Sequence, residues 1–135
     1  MVSFYAYSSS DIQGTRENQA VVFDKVDTNL GGGYNGTTGV FTAPAAGQYQ
    51  FAVKYMMLYL NSSYAYSGEV HLLKNGNITL RLFADTHRQE GNYDTASGLT
   101  VMGLNKGDKV SVVAYTGKLF FWGGFYSYFA GFLIG

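Results

Sequence analysis

Hydrophobic and polar residues alternate along much of this chain with the period of two that is typical of β-strands. The clearest alternation covers residues 48–57, where polar and small side chains separate five large apolar ones: Tyr49, Phe51, Val53, Tyr55 and Met57. A helix would not place these five side chains on one face, whereas a strand does. The pattern therefore predicts a long strand that directs this set into a hydrophobic core.

A β-hairpin is predicted at Asn75-Gly76, the dipeptide favoured by a two-residue type I′ turn. In the simplest register, Lys74 pairs with Asn77 and Leu73 pairs with Ile78. Both faces of this hairpin then carry apolar side chains: Leu73, Ile78, Leu80 and Leu82 on one, and Val70, Leu72 and Phe83 on the other. We therefore expect one face in the core and the other partly covered by a partner.

Further short strands are predicted between glycine-rich and polar turns, including residues 4–7, 20–23, 39–42, 99–104, 110–115 and 128–134. Residues 85–94 form the most polar stretch and predict an exposed loop, and residues 119–124 predict an apolar loop. No ten-residue window shows the spacing and caps of a helix. The pattern predicts an all-β antiparallel sandwich, with a jelly roll favoured.

The composition of the chain limits the number of domains and the kinds of partner that it can have. The 135 residues suffice for one domain, residues 1–135, in which 47% of residues are hydrophobic, 17% aromatic and only 13% charged. Nine basic and nine acidic residues cancel, which argues against a nucleic-acid partner. Apolar runs are far shorter than the roughly 18 residues of a membrane span, so no membrane insertion is predicted. The first residues do not resemble a signal peptide.

Catalytic chemistry has little support in the sequence. The chain lacks cysteine and any G-x-S-x-G motif, and its two histidines, His71 and His87, are far apart. No pair of acidic residues is brought together by sequence spacing alone. The sequence therefore predicts a protein that is not an enzyme.

From Phe23 onward the chain resembles the globular head domain of complement C1q, within the C1q and tumour-necrosis-factor superfamily. The family pattern is matched at seven fixed positions: Phe23, Asn29, Tyr34, Phe41, Gly47, Tyr49 and Phe51. Five further stretches resemble the family, namely residues 41–44, 47–49, 94–98, 104–110 and 129–133. The resemblance extends over nearly the whole chain, and no collagen-like segment precedes the head in this sequence.

This resemblance implies a ten-stranded jelly roll that assembles as a compact homotrimer. It also implies a non-enzymatic, secreted recognition module. We expect an innate-immune pattern-recognition or lectin-like protein that binds microbial surface molecules or glycans. The alternative is a trimeric ligand of tumour-necrosis-factor type that binds a cell-surface receptor protein.

Candidate ligand-binding residues lie in two predicted loops, because function in such folds resides in loops. They are Tyr64, Tyr66, Arg88, Gln89 and Glu90. Tyrosine rings can stack on sugar faces, and arginine pairs with anionic groups. An equally weighted alternative is that Tyr64 and Tyr66 extend strands and only pack.

Calcium is the one cofactor that the resemblance suggests, because some family members hold it at the apex of the trimer. Asp94 occupies the matching position of the Asp-x-Ala-Ser-Gly motif, and Asp85 lies near the second one with a different spacing. No cofactor is otherwise required. One aspartate from each of three subunits, completed by water, would supply calcium with oxygen ligands.

Aromatic residues crowd the last quarter of the chain: Tyr115, Phe120, Phe121, Trp122, Phe125, Tyr126, Tyr128, Phe129 and Phe132. A domain of this size cannot bury all of them together with the residues of the long central strand. Leaving several rings in water would cost roughly 1.5–3 kcal/mol each. We therefore expect several of them at a subunit interface with closed symmetry.

Overall fold

The computed structural model describes residues 1–135 as two packed antiparallel sheets without a helix. Its strands are β1 (Ser3–Ser8), β2 (Ile12–Gln13), β3 (Gln19–Ala20), β4 (Lys25–Leu30), β5 (Tyr34–Asn35), β6 (Val40–Thr42), β7 (Gly47–Leu58), β8 (Ser67–Lys74), β9 (Asn77–Asp85), β10 (Tyr93–Leu104), β11 (Lys109–Ala114), β12 (Phe120–Phe121) and β13 (Gly124–Leu133). Four of the thirteen have only two residues. The predicted all-β jelly-roll sandwich is confirmed.

Two sheets, here named front and back, form the sandwich. In the front sheet, β7 lies between β10 and β13, and β1 and β4 follow beyond β13, while β12 joins β2 to the end of β7. The back sheet has the order β5-β6-β11-β8-β9, with β3 beside β11. The fold contains no helix that could span a membrane.

The core lies between the sheets and is rich in aromatic rings. All five apolar residues predicted for the inner face of β7 are buried. Phe129 of β13 lies at the centre, with its ring centroid 4.8 Å from that of Phe4 and about 6 Å from those of Phe23, Tyr34 and Phe51. Edge-to-face and tilted ring pairs of this kind add to the stabilisation from burial.

Tyr34 is a buried polar group whose hydrogen bonds are internal. Its hydroxyl donates to the carbonyl of Phe23 at 2.8 Å and accepts from the Phe23 N–H at 3.2 Å. Burial disfavours the phenolate and raises the pKa of Tyr34 to about 12. The ordinary value is 10.0.

This shift predicts a loss of stability at alkaline pH. A proton held more tightly in the folded chain stabilises it below pH 10, and that contribution disappears as pH rises from 10 to about 12. We expect Tyr34→Phe to reduce this alkaline loss by about 2–3 kcal/mol, since the shift of about two pKa units corresponds to about 1.4 kcal/mol per unit. Urea unfolding from pH 8 to 12 measures it. Equal slopes in wild type and variant would contradict the assignment.

The hairpin prediction was right in its turn and wrong in its faces. Asn75 and Gly76 both have positive φ, at 49° and 83°, and Leu73 pairs with Ile78 as expected. A β-bulge leaves Thr79 unpaired, so that Leu72 pairs with Leu80. One extra residue reverses every side chain beyond it. Leu80 and Leu82 therefore face the core with Val70 and Leu72.

Candidate functional site

Four segments meet at one end of the sandwich, which we name the loop end: residues 9–18, 59–66, 86–92 and 115–123, of which the first and last include the two-residue strands β2 and β12. Backbone hydrogen bonds tie them together directly. The N–H of Tyr59 donates to Asn92 at 3.0 Å, and that of Ala65 donates to Lys118 at 2.9 Å. Lys118 in turn donates to Thr15 at 2.7 Å. The loop end is therefore a surface whose backbone segments are held together by hydrogen bonds.

Tyr66 and Arg88, two of the predicted ligand-binding residues, are brought together there. The guanidinium carbon of Arg88 lies 5.1 Å from the ring centroid of Tyr66, within cation–π range. Tyr66 is 40% exposed, and its ring packs edge-on against that of Tyr59 at 6.1 Å. The stack fixes a positive charge beside an exposed aromatic ring.

The backbone of this loop is strained at two successive residues. His87 and Arg88 both adopt left-handed conformations, with φ of 56° and 59°. For residues other than glycine this costs roughly 1–2 kcal/mol each. Buried Thr86 holds the loop in place, because its N–H and hydroxyl both donate to the carbonyl of Tyr66, at 2.9 and 2.6 Å. Strain maintained by surrounding structure is characteristic of functional loops.

The other three candidates are less closely grouped. Tyr64 is half-buried and packs edge-on against Phe120 at 5.6 Å, which agrees with the packing alternative for this ring. Gln89 and Glu90 are exposed in the loop, and the Gln89 N–H donates to Thr86. The structure thus assembles Tyr66 and Arg88, with Glu90 two residues away.

Asp85 and Asp94 lie side by side, but their carboxylates bind backbone N–H groups. Asp94 accepts from Asp85 at 2.8 Å and from Thr95 at 3.0 Å, and Asp85 accepts from His87 at 2.8 Å. Calcium takes six to eight oxygens, and no group of three or more His, Cys, Asp or Glu side chains forms around the pair. The residues of one chain therefore do not fit calcium. An ion shared by three subunits stays a prediction.

A second exposed feature covers the outer side of the front sheet, which we name the front face. Its large apolar side chains come from four strands: Tyr5, Tyr7, Leu30, Tyr93, Leu99, Val101, Phe125, Tyr126, Tyr128 and Phe132. Lys54 is a charged side chain in their midst, paired with Ser97 and Tyr128. Apolar patches of this extent mark interaction surfaces.

The predicted C-terminal aromatic cluster is divided among three places. Phe120, Phe121 and Phe129 are buried in the chain's own core, and Tyr115 lies on the back sheet stacked on His71. Four rings lie on the front face, namely Phe125, Tyr126, Tyr128 and Phe132, and the half-buried Trp122 packs edge-on against Tyr126 at 5.6 Å. Sequence reasoning missed Tyr5 and Tyr7, whose alternation with buried Phe4 and Ala6 could have placed them on the same face.

The fold and these two surfaces define a class of protein: a jelly-roll module of the C1q and tumour-necrosis-factor type. The sequence model of the C1q domain matches residues 3–134. The chain therefore belongs to the C1q domain family. This confirms the resemblance found in the sequence.

Named relatives agree with this assignment. The chain is 33% identical over 120 residues to human complement C1q tumor necrosis factor-related protein 3, covering 89% of the chain and 46% of that protein. It is 38% identical over 96 residues to mouse complement C1q tumor necrosis factor-related protein 2, covering 70% of the chain and 29% of that protein. The chain thus spans less than half the length of these relatives.

Solved structures show the same fold at low identity. The globular domain of zebrafish complement 1qA superposes with a TM-score of 0.80 at 21% identity, covering 100% of this chain and 98% of that one. Eiger TNF from S. frugiperda superposes with a TM-score of 0.81 at 10% identity, covering 99% and 92%. Members of the family are non-catalytic recognition or signalling modules, typically extracellular, which agrees with the prediction that this chain is not an enzyme.

Proposed function

We propose that this chain is a secreted homotrimeric recognition module that binds microbial surface molecules or glycans through its loop end. The observation that carries the proposal is the exposed Tyr66–Arg88 stack. It lies on a loop that backbone hydrogen bonds hold in place and that has two left-handed residues. An aromatic face beside a hydrogen-bond donor suits a sugar ring, because the ring packs on the aromatic while the donor binds its oxygens.

The homotrimer is supported by the front face. C1q and tumour-necrosis-factor family members form trimers. On the front sheet of this chain seven large apolar side chains are exposed and three more are half-buried, whereas the back sheet mixes Phe83, Ile78 and Tyr115 with Glu69 and Arg81. A closed cyclic assembly removes the apolar face from water without generating fibres.

A glycan and microbial-ligand array, run beside a cell-binding assay, tests the ligand. We expect binding that free sugar abolishes. Hydrolase activity with reproducible turnover, or no binding to any glycan or microbial molecule, would contradict the proposal.

A trimeric receptor ligand of tumour-necrosis-factor type is the second candidate, favoured by the close superposition on Eiger TNF. In that case the protein binds cells saturably, and sugars do not compete. The same pair of assays therefore separates the two functions.

A further inference from the structure

We propose that Arg88 is an anion-binding residue and that the glycans recognised at the loop end are acidic, bearing carboxylate or sulfate groups. This inference rests on the proposed glycan-binding function and adds the chemical class of the ligand. It begins with the fixed guanidinium of Arg88.

Arg88 has no anionic partner within the chain. The two ion pairs of the structure both join a histidine to a carboxylate, His71 to Glu69 and His87 to Asp85. Arg88 is exposed, and its guanidinium rests on the Tyr66 ring instead. A stacked guanidinium keeps its N–H groups free at its edge, in a planar fork that matches a carboxylate or a sulfate.

The strained backbone supports the same conclusion. Left-handed conformations at His87 and Arg88 set the direction in which the Arg88 side chain leaves the loop. Buried Thr86 is bound to Tyr66, and the Asn92 side chain donates to the Thr86 carbonyl at 3.0 Å. The backbone that carries Arg88 is therefore held before any ligand arrives, and the contact with the Tyr66 ring restrains the side chain, so that binding loses less side-chain entropy.

Charges of both signs lie near Arg88 in the chain. Lys118 is an exposed cation whose backbone bonds directly to Ala65, the neighbour of Tyr66. Asp85 and Asp94 are acidic, but their carboxylates accept hydrogen bonds from loop N–H groups. Glu90 is the acid of this loop that accepts no hydrogen bond, and it opposes an anionic ligand.

Arg88 and Glu90 carry opposite charges two residues apart, so neutralising each of them should change the affinity for an acidic glycan in opposite directions. Binding of a heparin fragment, hyaluronan and neutral dextran is measured by surface plasmon resonance at about 0.15 M salt, where long-range attraction is screened. We expect an acidic glycan to bind and Arg88→Gln to weaken it about tenfold or more, the loss of a charge-assisted hydrogen bond. Glu90→Gln should strengthen it about twofold or more, because a repulsive charge is removed.

Arg81→Gln is the matched control, because Arg81 is an exposed arginine on the back sheet, away from the loop end. It should bind like wild type, and Arg88→Lys should retain part of the affinity. Binding to heparin but not to hyaluronan, which carries carboxylates and no sulfate, identifies sulfate as the anion, whereas binding to hyaluronan shows that a carboxylate suffices. Unchanged melting temperatures show that the variants fold.

Three results would overturn the inference: equal losses for Arg81→Gln and Arg88→Gln, weaker binding by Glu90→Gln, or tighter binding to polyglutamate than to either acidic glycan. Dextran binding that is insensitive to Arg88 would remove the acidic class and leave the glycan function standing. Failure of every glycan to bind would remove both.

Discussion

Phe132→Asp should convert the proposed homotrimer into a monomer, so that light scattering gives about 14.8 kDa instead of three times that mass. Phe132 lies on the front face near the end of β13, which is the strand between β7 and β1, and is 43% exposed in a single chain. A carboxylate there is solvated in the monomer but buried without a partner in the trimer, which costs several kcal/mol at each subunit contact. The three contacts of a cyclic trimer are all affected.

Phe83→Asp is the matched control for this experiment. Phe83 is 61% exposed on β9 of the back sheet, where its strand neighbour is Glu69. The same chemical change there should leave the trimer intact. Assembly through the front face would be contradicted if Phe132→Asp remained trimeric, if Phe83→Asp dissociated equally, or if the wild type were a monodisperse monomer at micromolar concentration.

Features that depend on neighbouring residues were predicted well from the sequence. The alternation along β7 determined which residues enter the core, because a strand allows only two faces. Asn75-Gly76 determined the turn, because both residues tolerate the positive φ that a type I′ turn demands.

Features that depend on pairing with distant strands were not predicted. β10 begins at Tyr93 and not at Leu99, because its polar first half is held as a strand by pairing with β7. Phe120 and Phe121 form a strand between β2 and β7 where an apolar loop was expected. The bulge at Thr79 has no local signature either, although the Thr79 hydroxyl donates to the Leu72 carbonyl at 3.0 Å.

The candidate site was predicted in its residue types but not in its arrangement. Tyr66 and Arg88 were selected from separate loops for their chemistry, and only the folded chain places the guanidinium on the ring. The same chemistry selected Tyr64, which packs on Phe120 instead. The sequence does not distinguish Tyr64 from Tyr66, because the different surroundings of the two rings depend on which loops are hydrogen-bonded to each other across the loop end.

Phe129→Ala should lower the free energy of unfolding by about 3–5 kcal/mol, the range expected when a large aromatic side chain is removed from a core. The Phe129 side chain is fully buried and touches rings from both sheets, including Phe4 of β1 and Tyr34 of β5. Alanine leaves a void that neighbours on paired strands cannot fill. A domain of this size has a free energy of unfolding of only about 5–15 kcal/mol, so the variant should have little remaining stability.

Urea unfolding at one fixed protein concentration measures this effect, because the stability of the proposed trimer would depend on concentration. Phe129→Leu keeps most of the volume and should lose clearly less than Phe129→Ala. Phe83→Ala removes an equally large but exposed ring and should change stability by no more than about 0.5 kcal/mol. If Phe129→Ala and Phe83→Ala lost similar amounts, the stacked aromatic core would not be the principal source of stability, and the trimer contacts of the front face would have to supply it.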